Sequence, residues 1–493
     1  MNGAITIKPR TLTLLPIAIL SFAVCVFAQA PQATPPPPQP PRTVQFPKPV
    51  EKTLPNGLRV VVIQRSEMPL VSSQLLIKSG GEVDPADLSG AADMTAALLT
   101  RGTTTRSATQ IAEAIEALGG SMNSGARWDS STISVDVMSS RIGPALEIFA
   151  DVVRNPAYKD EEIDRLRRQY LNNLRVSLGQ PGAVARFAAA RVVYRDAPYG
   201  HPLSGTPESL PRIKRDDITR LHEMFYRPDN AILVIGGDIT PENGFAIAQK
   251  YFGDWQKPAT DLPKMAMTTP ASEPGNRRIL VIDMPDAGQA AVLAARSGIN
   301  RSNPDYFRGI VSNSILNGYS GRLNWEIRVK RGLSYGAGSS LDTRRWAGSF
   351  SATAQTKNES GAEVAALTLA EISKLATGDL LDSELTTRKA SLNGGFARGL
   401  DTTGGLVGQV SSLAIYGVNF DQINQFVGNV QAVKAEDVKS FAAAHLNIDS
   451  TSVIVVGDAS KFLPALQKQF PQVEVIKVTD LDLNSATLRR PKT

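Results

Sequence analysis

Residues 230–238, NAILVIGGD, and residues 451–458, TSVIVVGD, are the stretches on which the fold turns. Each is a short aliphatic run closed by glycine and aspartate, the pattern of a strand buried on both faces. Asp217-Ile218 stands ahead of the first run as Asp437-Val438 stands ahead of the second. The matched aspartates are 220 residues apart in both pairs (437 − 217 and 458 − 238). Such a period is too long for a solenoid repeat. It predicts an α+β protein made of two tandem homologous domains, each a mixed sheet with helices packed on it.

The rest of the chain supports two copies. In the first, residues 58–64, 73–78, 131–138 and 230–235 have strand character, and 89–100, 108–118, 143–153, 160–178 and 216–225 have helical periodicity. Ser107 caps the helix at 108–118, and Gly119-Gly120 stops it. In the second, strands are expected at 279–284, 289–295 and 348–356, and helices at 305–316, 361–376 and 383–397. Residues 256–277 hold four prolines and no periodicity, which marks a linker between domains 51–255 and 278–480. Residues 481–493 are left as a tail. The glycine cluster at 404–408 lacks the lysine of a phosphate loop and the order of a dinucleotide fingerprint, and is expected to be a flexible turn between helices.

The N-terminus has the layout of a secretory signal peptide over residues 1–28. Lys8 and Arg10 precede an apolar stretch at 12–28, and small residues surround the cleavage point. A retained membrane anchor is the alternative. Residues 29–50 are rich in proline and form an extended tether. These features predict export, to the periplasm or an equivalent compartment, with no stable membrane insertion after the signal is removed. Cys25 is the only cysteine, so the mature chain has no disulfide framework and no thiol nucleophile. The formal charge of +6 falls to +4 once Lys8 and Arg10 leave, and basic residues are interspersed with acids. No nucleic-acid footprint follows. No G-x-S-x-G elbow is present.

Leu54-Pro55-Asn56-Gly57-Leu58, Ser79-Gly80-Gly81-Glu82, Gly90-Ala91-Ala92 and Arg101-Gly102-Thr103 together resemble the first domain of the M16, or insulinase-like, zinc peptidases. The resemblance covers nearly all of residues 50–480. It implies the LuxS/mitochondrial-processing-peptidase type of metallohydrolase fold. In active members a helix carries H-x-x-E-H, whose histidines bind zinc. On this chain the first histidine falls on Asp93, the glutamate on Ala96 and the second histidine on Ala97. A third ligand, a later glutamate, falls near Asn172 or Asn173. Alanine has no donor atom and one aspartate cannot hold zinc against water, so no metal is expected in this chain. The three histidines, His201, His222 and His445, include no pair at helical spacing. His201 is expected to be structural, and His222 and His445 to be partly buried or solvated rather than functional.

The strongest local match lies at residues 317–336, NGYSGRLNWEIRVKRGLSYG. The resemblance implies an arginine and a tyrosine seven residues apart that complete the active site; here they are Arg328 and Tyr335. Arg328 is expected in a last helical turn ended by Gly332, and Tyr335 at the start of the next strand, both facing one cleft. A phenol there can donate to the oxyanion formed when a peptide carbonyl is attacked, and a guanidinium can hold a carbonyl or carboxylate. The expectation is a non-catalytic subunit of a heterodimeric exported zinc peptidase. The partner would bring H-x-x-E-H and the zinc, and peptides would be taken up by strand addition at a sheet edge. The alternative is a structural or peptide-binding subunit with no catalytic contribution; a metal-independent hydrolase is a third.

Overall fold

The structure, a computed structural model, describes residues 45–263 and 277–491. The expected signal peptide, most of the tether and the middle of the linker lie outside the described residues. Two six-stranded sheets form the frame. The first contains β1 (Val50–Thr53), β2 (Arg59–Gln64), β3 (Leu70–Ile77), β4 (Ser121–Ala126), β5 (Ser131–Met138) and β6 (Ala231–Gly237). The second contains β7 (Ile279–Asp283), β8 (Ala290–Ser297), β9 (Ser334–Asp342), β10 (Ser349–Thr356), β11 (Ser452–Gly457) and β12 (Glu474–Lys477).

The sheets are copies of one plan. Their orders are β1-β2-β6-β3-β5-β4 and β12-β7-β11-β8-β10-β9. β6 runs parallel to β2 as β11 does to β7, and both central strands are antiparallel to the next strand, β3 or β8. The two quoted stretches therefore hold the same place in their sheets. Only the outermost strand differs: β1 is antiparallel to β2, whereas β12 is parallel to β7. Helices Arg215–Phe225 and Ala435–His445 enter the two central strands. Asp217 and Asp437 each accept the backbone N–H of a lysine three residues earlier, Lys214 and Lys434, at 3.0 and 2.8 Å. This fixes both helix starts in the same way.

The two halves are interlocked. On β3, Val71, Leu75 and Ile77 point into the core shared with helices of the first half, and Leu76 points to the opposite face. That opposite face is covered by helix Thr403–Ile415 from the second half, through Leu406, Val407 and Val410. In return, helix Pro181–Tyr194 of the first half lies on β8 and β11, packing Val184 and Ala188 against Leu293 and Ile454. This exchange is why β6 and β11 are buried at every position.

Several expectations need correction. The glycine cluster is not a turn. It opens helix Thr403–Ile415, where Thr402 accepts the N–H of Gly405 at 3.0 Å. A Cβ on Gly405 would sit 1.9 Å from the carbonyl of Gly399, so the glycine permits a close approach of backbone. The tether ends earlier than residue 50. Phe46 exchanges two hydrogen bonds with the side chain of Asn424, at 2.8 and 3.0 Å, and Val50 already belongs to β1. The start of the linker is packed, because the buried Arg227 donates to the carbonyls of Thr260 and Pro258 at 2.6 and 3.3 Å. Nor do residues 481–490 trail free. Leu481, Leu483 and Leu488 are buried under helix Pro181–Tyr194, and Arg191 Nε donates to the carbonyl of Leu483 at 2.8 Å.

Candidate functional site

The helix that aligns with the metal-motif helix of active M16 members is Ala91–Leu98, entered through Gly90 at φ +93°. Asp84 accepts the backbone N–H groups of Gly90 and Ala92, both at 2.7 Å, and so satisfies the helix start. Asp93, Ala96 and Ala97 fall within one turn, as expected. Ala96 is fully buried. Ala97 is half-buried and lines a cavity of about 380 Å³ with Arg101 and Ser124, beside the edge strand β4.

Asp93 is already satisfied by the protein. Tyr170 donates its hydroxyl to Oδ2 at 3.0 Å, and the N–H of Ala126 donates to Oδ1 at 3.3 Å. Burial raises the Asp93 carboxyl above its ordinary value, and these two donors only partly offset it. Asn172 and Asn173 are exposed on helix Asp160–Leu178, where Asn172 accepts from Arg175 at 3.1 Å. The residues at the four motif positions therefore do not fit a zinc ion. Among the described residues, no group of three His, Cys, Asp or Glu side chains could hold a metal. Tyr170 is the residue that sequence reasoning missed: it lies 77 positions from Asp93, and only the packing of the two helices joins them.

The histidines are anchored singly. His201 is buried, shares a hydrogen bond with the carbonyl of Pro202 at 3.1 Å, and is held by burial at about 4. His222 stacks on Tyr226 and pairs with the carbonyl of Val153 at 2.9 Å. His445 pairs with Asp305 at 3.2 Å.

In the second half Arg328 lies in a π-helical turn, Trp325–Lys330, rather than the α-helical turn expected. Gly332 at φ +65° ends the turn, and Tyr335 is the second residue of β9, the free edge strand of its sheet. Tyr335 is 88% exposed, and its hydroxyl has no partner among the described residues. It lines a cavity of about 380 Å³ whose floor includes Ala291, Leu293 and Ala354. Arg328 does not line that cavity. Its guanidinium lies over the ring of Tyr319 at 5.2 Å. The charged side chain that lines the cavity with Tyr335 is instead Arg186, on the helix Pro181–Tyr194 of the first half. Nothing in the sequence alone brings Arg186 there, because the placement depends on the exchange of helices.

Comparisons with known proteins agree with this geometry. Residues 59–207 match the model for Insulinase (Peptidase family M16), and residues 212–392 match that for the Peptidase M16 inactive domain. An uncharacterized zinc protease of Mycobacterium leprae is 25% identical over 414 residues, 83% of this chain and 92% of the relative. Another uncharacterized zinc protease, from Bacillus subtilis, is 20% identical over 79% of this chain and 94% of its own length. Among solved structures, a peptidase M16 inactive domain from Pseudomonas fluorescens superposes with a TM-score of 0.76 at 25% identity, covering 83% of this chain and 98% of that one. A protease from Helicobacter pylori gives the same TM-score, 0.76, at 20% identity, with 83% and 100% covered, which shows the fold. With both halves matched in order, and with the paired sheets and the motif helix in place, the chain belongs to the M16, or insulinase, family of peptidases.

Proposed function

We propose that this chain is the non-catalytic subunit of a heterodimeric, exported M16 zinc peptidase, and that it lends Tyr335 and Arg328 to the active site of a zinc-bearing partner. The observation that carries the proposal is an asymmetry. At the motif helix, every position that should hold metal is alanine, exposed asparagine or an aspartate already bonded to Tyr170 and Ala126. At β9, by contrast, a tyrosine hydroxyl stands almost fully exposed with no internal role. An unpaired phenol on a free sheet edge is placed to meet an extended peptide that adds to that edge. Its hydroxyl could then donate to the oxyanion of the carbonyl under attack. The partner would supply zinc, H-x-x-E-H and the general base. Export rests on the N-terminal residues 1–28, and the substrates are peptides in extended form.

A second reading has its own observation. Arg328 rests on Tyr319, outside the cavity beside Tyr335, which suits a subunit that binds peptides without taking part in chemistry. Reconstitution with the zinc-bearing partner separates the two. Tyr335→Phe should lower turnover about 10²-fold, or ~3 kcal/mol, because it removes a donor to developing charge. Peptide binding and melting temperature should hardly change. Arg328→Lys should also impair cleavage, since an ammonium cannot reproduce a planar fork. Unchanged rates from both variants would leave only the binding role.

A further inference from the structure

Tyr335 stands on an irregular part of β9. Ser334 is opposite Thr356 and Ala337 is opposite Ala354, so Tyr335 and Gly336 together face the single residue Gln355 of β10. Two residues against one make a β-bulge, which bends its strand and re-aims the side chains it carries. Ser334 braces the bulge from within: its hydroxyl accepts the N–H of Gly336 at 3.0 Å and donates to the carbonyl of Gly336 at 2.8 Å. β9 has a neighbouring strand on one side only. Whatever fixes the bulge against the rest of the site must therefore come from the other side.

Asn324 comes from that side. It stands immediately before the π-helical turn that carries Arg328 and is 3% exposed. Its Oδ1 accepts the N–H of Ala337, two residues past Tyr335, at 3.3 Å. Its Nδ2 donates to the carbonyl of Tyr319 at 2.5 Å. Tyr319 is the residue whose ring lies under the Arg328 guanidinium. One buried amide thus ties the strand just after the bulge to the loop beneath Arg328 and to the start of the turn that bears it. Asn317 makes a comparable tie further along, accepting the N–H of Ser339 at 3.3 Å. The chemistry at position 324 is demanding, because one short side chain must offer both an acceptor and a donor. Aspartate would set an oxygen against the Tyr319 carbonyl, and an apolar residue would leave both backbone groups without their partner.

We propose that Asn324 is a positioning residue for Tyr335: it holds the bulge, and with it the phenol, in register with the turn that carries Arg328. The proposal rests on the catalytic reading of Tyr335 given above. Asn324 itself is too deeply buried to meet substrate, so it acts only through the residues it ties together.

The test is a double-mutant cycle in the full chain reconstituted with the zinc-bearing partner, read as steady-state cleavage of an unstructured fluorogenic peptide. Asn324→Ala should lower kcat about tenfold or more with KM little changed, since a small misplacement of a reacting group is costly. Added to Tyr335→Phe, the same substitution should cause little further loss, because the hydroxyl it positions is already gone. In the chain alone, amide exchange at Ala337 should quicken in Asn324→Ala. If Asn324→Ala does not fold, as its melting curve will show, Asn324→Ser takes its place in the cycle. The proposal is overturned if the Asn324 variant cleaves at the parent rate, or if it loses the same factor with and without the Tyr335 hydroxyl, which is the mark of a general structural defect. In either case an impaired Tyr335→Phe would leave the role of Tyr335 standing. A parent rate from Tyr335→Phe itself would instead refute the catalytic reading, and the positioning role with it.

Discussion

A buried carboxylate needs donors, and Asp93 draws its two from Tyr170 and Ala126. That one residue shows why the motif helix can be packed and stable with no ion. Its alanine neighbours were legible in the sequence, because i, i+3 and i+4 positions on a helix share a face. Tyr170 was not legible, since its meeting with Asp93 is tertiary. The placement of Arg328 shows a similar limit: spacing put it one turn before a strand, but its contact with Tyr319 depends on how the loop after Gly318 returns. His201 gives a residue-scale prediction. Burial lowers it from 6.5 to about 4. Between those values the unfolded chain binds a proton that the folded protein refuses. Its contribution to stability is therefore complete above pH 6.5 and is lost as the pH falls toward 4, by about 1.4 kcal/mol per pH unit at most. His222 is lowered to about 4 in the same way, and Glu82, raised to about 8 by burial, acts with the opposite sign above pH 4.5, so the His201 share should appear as a difference in slope between parent and His201→Asn melting curves, whatever the substitution does to stability at neutral pH. An unchanged slope would mean that His201 is not the group responsible.

At the scale of elements, the exchanged helices decide the architecture, and they are also what periodicity failed to find. Helix Pro181–Tyr194 is apolar on most of its circumference, because it lies between a foreign sheet and the C-terminal segment; an amphipathic stripe cannot appear on a helix buried all round. Helix Thr403–Ile415 was hidden by its glycines, which lower helix propensity but allow Gly405 to approach Gly399. The strands at the sheet centres were easier, since double burial leaves an unbroken aliphatic run. Leu413 is fully buried on the second of these helices, within the core formed with Val61 and Val234 of the first half. Leu413→Ala should therefore cost about 2–5 kcal/mol. It should also lower amide-exchange protection in β3 and β6, which belong to the other half. Loss of protection confined to the second half would contradict the cross-cover.

At the scale of the whole molecule, the two halves are copies that depend on each other. Separated into residues 45–255 and 278–491, each sheet would lose the helix that covers its far face, exposing positions such as Val234 and Ile454 that are now fully buried. Each fragment alone should be aggregated or unfolded, and co-expression should restore a soluble pair; two well-folded monomers would refute the dependence. The functional claim is also one of the whole molecule, because it assigns this chain half of an active site. It is tested most directly by the zinc content of the purified chain, measured together with chelator-sensitive cleavage of an unstructured peptide. The account predicts far less than one zinc per chain and no such cleavage until a zinc-bearing partner is added. One zinc per chain, with peptidase activity that a chelator removes, would contradict it.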